Sequence, residues 1–281
     1  PVFCVNDIIK NNFVQTVYTY KLAKSLSNAA GNLKKKIFIH IKIDTGMNRI
    51  GVSLDNAESL INEISKLPNI KIEGVFTHLA KAEEKNGFTQ QQLKRFESVT
   101  SRINAKGLIL HAANSAGALY HKDSHLNMCR IGISMYGLYP PGGEKSIISL
   151  KPALEFKTRV VYLKKVPSGT PISYGSTYIT DKETNIATLP AGYADGLPRA
   201  LSNKGMVLIK GKQYPIVGRV CMDLTMVDIG DADIKIGDEV VLIGNQSGKS
   251  ISADDIAALA DTINYEIVCG IGKRVPRIYI K

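Results

Sequence analysis

Eight residues in the first half of the chain have side chains suited to chemistry and fall at comparable places, at or just past the ends of short apolar runs. Lys42, Asp44 and Arg49 flank the end of FIHIKID (38–44), and His78 ends IEGVFTH (72–78). His111, Asn114 and Ser115 close LILHAAN (108–114), and Arg130 lies within CRIGISMYG (129–137). Charged side chains are seldom buried without partners. Lys42 and Arg130 are therefore either halves of buried ion pairs or members of a site. Four successive runs ending in such groups favour a site. Ser115 and His111 are the types of a nucleophile and its base, yet no G-x-S-x-G elbow surrounds the serine. A serine just past a strand more often caps a helix or holds a phosphate. His78, His111 and a carboxylate have the types of a metal set but lack an H-x-x-x-H pairing, so no metal is expected. Neither G-x-G-x-x-G nor a P-loop occurs, which removes the usual nucleotide fingerprints. In the second half, SYGSTY (173–178) and AGYADG (191–196) are Gly-rich turns presenting Tyr174 and Tyr193. Such tyrosines either cover a β surface or act as acid and base where neighbouring positive charge lowers a pKa of about 10.

The elements that must position these residues read as two kinds. Up to Pro140-Pro141-Gly142-Gly143, short apolar runs alternate with helical patterns, a βα rhythm that implies parallel strands with helices outside. VFCV (2–5) is expected as the first strand, followed by a helix to about Asn32. Strands follow at 38–44, 72–78, 108–114 and 129–137. Between them, Leu54, Ala57, Leu60, Ile61, Ile64 and Leu67 mark one amphipathic helix, with Asp55 and Glu58 resembling a capping box. Leu93, Phe96, Val99 and Ile103 mark another. In a (β/α)8 barrel the active site sits at the C-terminal ends of the strands, where the polar residues gather. Beyond Pro141 the runs ALEFKTRVVYLKKV, NIATLPAGYA, GMVLIKGKQYPIVGRV, LTMVDI and DEVVLIG read as antiparallel strands. Pro167-Ser168-Gly169 and Lys210-Gly211-Lys212 are turns. A helix capped by Ser252 with Asp255 runs through ISADDIAALADTI. YEIVCGIG and RIYI are expected as closing strands.

The chain has 281 residues, 44% hydrophobic and 22% charged, which excludes a disordered chain. No apolar run approaches the roughly 18 residues of a membrane helix. No signal peptide is seen, and the first residue is Pro1, read as the start of a fragment or processed product. The net charge of +11 is a Lys-rich solvated surface; its densest cluster is only Lys34 to Lys36, without a nucleic-acid module. Cys4, Cys129, Cys221 and Cys269 are widely spaced. That argues against zinc or disulfides and suits a reducing, cytoplasmic setting.

Taken together, these stretches resemble the alanine racemases. The motifs are IKIDTGMNRIGV (41–52), GVFTHLA (74–80), HAANSAG (111–117), NMCRIGISMYGLYP (127–140), ISYGSTY (172–178), AGYADG (191–196), VGRVCMDLTMVDI (217–229), INYEIVCGI (263–271) and RVPRIY (274–279). They run along nearly the whole chain in the family's order. IDTGMNR, SYGSTY and GRVCMD are the specific ones. The resemblance implies an isomerase dependent on pyridoxal 5′-phosphate that interconverts L- and D-alanine and supplies D-alanine for peptidoglycan. It implies an α/β class with an added all-β domain, namely part of a (β/α)8 TIM-type barrel over 1–142 and an antiparallel β domain over 143–281. It also implies a head-to-tail homodimer in which the β domain of one subunit completes the other's site. Carried over residue by residue, Tyr174 is the catalytic tyrosine and Arg130 the arginine that donates to the pyridine nitrogen, supported by His78. Ser115, Gly132, Ile133 and Tyr265 contact the phosphate. Arg49 and the backbone of Met222 hold the substrate carboxylate, and Tyr193 lies near the substrate. Lys42 matches a lysine that is carbamylated in some members.

The resemblance also implies a lysine in a K-A-N-A-Y-G-type motif on the first barrel strand, and no such motif occurs here. VFCV matches the family's fourth strand, so three βα units, about ninety residues of an eight-unit barrel, are expected to be missing. This chain by itself is expected not to be a competent racemase. Competing readings are a racemase of serine or of broader range, a related decarboxylase, a non-catalytic cofactor-binding or dimer-forming module, and a basic nucleic-acid binder.

Overall fold

The computed structural model describes residues 2–85, 87–143 and 148–280. The chain divides into two compact units, residues 1–150 and 151–281. In the first, a 3-10 turn (Val2–Cys4) leads into α1 (Val5–Lys10), β1 (Gln15–Val17), α2 (Tyr20–Asn32), β2 (Ile37–Lys42), α3 (Leu54–Ser65), β3 (Ile70–Phe76), α4 (Phe88–Thr100), β4 (Ile109–His111) and α5 (Ser115–Tyr120). The four strands pair in parallel in chain order. Each is joined to the next by one helix, the repeated βα unit of a barrel-like sheet. Ile37, Ile39, Ile41 and Ile43 pack with Leu26 of α2 and Leu60, Ile61 and Ile64 of α3 in one core. Full burial of each such side chain stabilises by about 1.5–3 kcal/mol.

Two strands expected in this unit are absent. VFCV is a 3-10 turn running into α1, and the first strand is β1, thirteen residues later than expected. A short apolar run does not distinguish strand from helix by periodicity. Here Asp7 in the first turn and Lys10 in the last suit a helix dipole. CRIGISMYG is likewise no strand. Backbone bonds from Asn127 N to Leu110 O and from Arg130 N to Ala113 O, each 3.0 Å, lay this segment beside β4. A 3-10 turn at Ile133–Tyr136 then ends it. The capping box expected from Asp55 and Glu58 does not form either. The cap of α3 is Ser53, and it accepts no bond from the helix backbone.

The second unit contains β5 (Phe156–Arg159), β6 (Tyr162–Val166), β7 (Pro171–Ile172), β8 (Tyr178–Ile179), β9 (Thr184–Leu189), β10 (Met206–Ile209), β11 (Lys212–Pro215), β12 (Thr225–Gly230), β13 (Glu239–Gln246) and β14 (Lys249–Ile251). Helices α6 (Ala253–Leu259) and α7 (Asn264–Gly270) follow. All strand pairs are antiparallel. They form one sheet β11-β10-β13-β14 with β5 on β13, one sheet β12-β9-β6, and the ribbon β7-β8. The Ser252–Asp255 capping box starts α6 as expected. YEIVCGIG is helix α7 rather than a strand, and RIYI forms no strand. Asn264 and Ile267, one helical turn apart, are the buried residues of α7. Among the described residues, no helix is long and apolar enough to cross a membrane.

Candidate functional site

At the carboxyl ends of β2, β3 and β4 the polar residues of the first unit converge on Arg130. Its Nη1 donates to His111 Nδ1 at 2.6 Å. Its Nη2 donates to Thr77 O at 2.9 Å and Ala112 O at 3.0 Å, with His78 Nδ1 at 3.4 Å. Its guanidinium lies 5.1 Å from the Phe76 ring, which stacks on His111 at 4.6 Å. A guanidinium has five N–H donors and no acceptor, so these contacts fix its plane and leave Nε–H and one Nη1–H for a further acceptor. Burial lowers its pKa to about 10, and it stays charged at neutral pH.

Because Arg130 can only donate, His111 Nδ1 must accept. His111 Nε2 then carries the hydrogen and donates to His40 Nδ1 at 2.7 Å. His40 Nε2–H in turn faces Glu73 Oε2 at 3.4 Å. A single tautomer assignment thus runs from Arg130 through two imidazoles to Glu73. The line needs room between strands, and Gly74 provides it: a Cβ there would stand 2.7 Å from the His40 ring. Burial, then Arg130 and His40, push the His111 pKa down to about 3. Burial, then Arg130, Arg49 and Lys42, push His78 to about 4. Both imidazoles are neutral at pH 7.

Lys42 is 3% exposed, and its ammonium forms no hydrogen bond or ion pair among the described residues; its Nζ lies 6.0 Å from the Phe76 ring. Burial and then Arg49 lower its pKa, Asp44 opposing. Arg49 is exposed at the end of a loop that Asp44 shapes. One Asp44 oxygen accepts from Gly46 N at 2.9 Å and Asn48 N at 3.1 Å.

Beyond β4, Asn114 caps α5 by accepting from Gly117 N. Ser115, at the first position of that helix, is buried. Its Oγ accepts from Gly132 N at 2.8 Å and Ser134 N at 3.4 Å. The Ser134 hydroxyl is buried with no partner. Buried hydroxyls are nearly always satisfied, so this corner of Ser115, Gly132 and Ser134 fits an oxygen-rich group such as a phosphate.

In the second unit, Tyr174, Tyr193 and Met222 sit on interlaced turns. Ser173 Oγ donates to Arg219 O at 2.7 Å, tying the Tyr174 turn to the GRVCMD segment. Tyr193 N donates to Cys221 O at 3.0 Å and Ala194 N to Met222 O at 2.8 Å. The tyrosine loop is clamped by Asp195, which accepts from Gly192 N and pairs with Arg274 through two bonds of 2.6 and 2.9 Å. Tyr174 is 71% and Met222 57% exposed. Tyr265 lies half-buried in the first turn of α7. A groove of about 480 Å³ beside Tyr193 is lined by Arg199, Asp261, Thr262 and Glu266.

Each unit therefore gathers its own share of the residues singled out in the sequence. His40, Glu73, Thr45, Thr77, Gln92 and Ser134 were not anticipated. His40 carried a signal, since it lies one turn of the β alternation before Lys42. Among the described residues, no three His, Cys, Asp or Glu side chains form a metal site.

Comparisons with known proteins cover both units. The family model "Alanine racemase, N-terminal domain" matches residues 4–140, and "Alanine racemase, C-terminal domain" matches residues 153–279. Alanine racemase 2 of Caldanaerobacter subterraneus subsp. tengcongensis is 46% identical over 286 residues, covering 100% of this chain and 74% of its own. An alanine racemase structure from Clostridium difficile 630 superposes with TM-score 0.93 at 40% identity, over 100% of this chain and 74% of that one. The structure of alanine racemase from Bartonella henselae with covalently bound pyridoxal phosphate superposes with TM-score 0.88 at 28% identity, over 100% of this chain and 77% of that one.

Proposed function

Because the chain belongs to the alanine racemase family, whose members are isomerases, we propose that its first unit holds pyridoxal 5′-phosphate for the interconversion of L- and D-alanine. The observation that carries this reading is the pair of open polar places at one set of strand ends. One is the buried, unpartnered Ser134 hydroxyl beside Ser115 and Gly132. The other is the guanidinium of Arg130, with donors to spare. They fit the two polar ends of the cofactor: Ser115, Gly132 and Ile133 would hold its phosphate, with Tyr265, and Arg130 its pyridine nitrogen. When bound, the cofactor supplies the conjugated electron sink that eases removal of the α-proton.

The chain's own residues take the following parts. Arg130 is a permanent donor, so a nitrogen accepting from it stays unprotonated. This moderates the sink and restrains side reactions. His111 and His78, both neutral, hold the guanidinium without adding charge. Arg49 and the backbone N–H of Met222, which donates to no acceptor among the described residues, are the donors for the substrate carboxylate. Tyr174 exchanges the α-proton on one face, and Tyr193 bounds the space beside the substrate. The second unit of one chain serves the first unit of another in a head-to-tail dimer. The setting is the cytoplasm and the product is D-alanine for peptidoglycan.

Cofactor binding followed by absorbance tests this directly. Ser115→Ala and Arg130→Gln are each expected to weaken pyridoxal phosphate binding about tenfold or more, the loss of one or more charge-assisted bonds. Binding unchanged in both variants would refute the assignment. D-alanine formation from L-alanine that is indifferent to Tyr174→Phe would remove the tyrosine from the reaction.

A further inference from the structure

Gln92 of α4 is fully buried, yet it lies in the polar run Gln90-Gln91-Gln92, on the buried face that Phe96 and Val99 continue. Both its amide hydrogens and its oxygen are engaged. Nε2 donates to Thr45 Oγ1 and to His78 O, both at 3.1 Å, and Oε1 accepts from Ala80 N at 2.8 Å. Thr45 follows β2 on the loop that ends in Arg49. His78 and Ala80 follow β3. Thr45 Oγ1 also meets Thr77 Oγ1 at 2.7 Å, and Thr77 O accepts from Arg130. One helical turn further along α4, Arg95 Nη1 donates to Thr45 O at 3.0 Å. The Phe88 ring and Arg95 close over Gly46, where a Cβ would stand 2.9 Å from that ring.

We propose that Gln92 is a positioning residue: it locks the β2–α3 and β3–α4 loops into one body and so fixes Arg49 and Lys42 relative to His78 and Arg130. A side chain chosen only to fill space would be apolar, since a buried amide gains little net stability and is expensive when left unsatisfied. Three satisfied bonds to two different loops are what an amide supplies and a leucine cannot. The bearing of this lock on turnover rests on the roles of Arg49 and Arg130 proposed above, but the lock itself has a readout of its own. The His78 imidazole faces Arg130, Arg49 and Lys42 and titrates well below its ordinary value, so it reports whether those cations hold their places.

The experiment is NMR titration of the histidines in the full chain and in Gln92→Leu, with the His78 signal assigned by His78→Gln. In the variant, the His78 midpoint is expected to rise by about one pH unit as the loops part and admit water. A midpoint unchanged in a folded variant overturns the proposal. If Gln92→Leu does not fold, Thr45→Val removes one acceptor of the same lock and gives the same test. These outcomes are independent of the cofactor-binding test, which decides the proposed function alone.

Discussion

Arg130 stays charged at neutral pH, and two imidazoles held against it are kept neutral. The sign of the resulting pH dependence follows from linkage. His111 and His78 have folded pKa values of about 3 and about 4, below the unfolded value near 6.5. Their contribution to stability is therefore full above pH 6.5 and is lost as pH falls toward those folded values. At pH 5 unfolding is expected to take up about two more protons in the parent than in a His78→Gln, His111→Gln double variant. The slope of the urea unfolding free energy against pH measures this, and equal slopes would contradict it. Lys42 gives a second prediction at the same scale. A buried lysine with a lowered pKa holds more of its amine unprotonated, the form that adds to CO2. Native mass spectrometry in bicarbonate is expected to show a gain of one CO2 that Lys42→Arg abolishes.

Loops between elements set how closely these groups meet. Gly51 has φ +140, and a Cβ there would stand 2.7 Å from Asp44 N. Gly107 has φ +81 with nothing within 4 Å. Gly107→Ala is expected to cost about 1 kcal/mol for its backbone conformation alone. Gly51→Ala should cost ~2 kcal/mol or more, because backbone must also move. Comparable urea midpoints would show that the Arg49 loop is less tightly built than this. The elements themselves were unequally legible. Helices α2, α3, α4 and α6 and the strands β2 and β3 declare themselves through period or apolar continuity. VFCV, CRIGISMYG and YEIVCGIG do not, since each is a short apolar run whose state is decided by packing. The strand ends carried the site residues in plain view because charged groups at the ends of apolar runs are conspicuous. Gln92 was harder but not hidden. Phe96 and Val99 are buried on α4, and carrying their phase back by four and seven residues gives Gln92 and Thr89, the other buried positions. Ser134 gave no signal, for nothing local distinguishes a serine that keeps its hydroxyl unpaired.

On the molecular scale, each unit leaves large side chains in water. Met135 is 69% and Tyr136 58% exposed in the first, next in sequence to Ser134, and Tyr174 is equally prominent in the second. Exposed apolar side chains in such groups mark interaction surfaces, and the proposed head-to-tail dimer would cover them. Sedimentation at micromolar concentration is expected to give a dimer, and Met135→Glu with Tyr136→Glu to shift it toward monomer. A monomer in the parent chain would count against the dimer.

The line from Arg130 to Glu73 has one more implication. All its hydrogens point outward. To conduct a proton toward the surface, Arg130 would have to part with one, leaving a neutral guanidine in roughly one molecule per thousand at pH 7 for a pKa of about 10. To conduct inward, the guanidinium would have to offer a lone pair it does not possess. The line is thus a polarisable strut and a closed gate at once. It can shift electron density toward or away from the site, but it cannot drain a proton from it, and any proton exchanged there must enter and leave by another route.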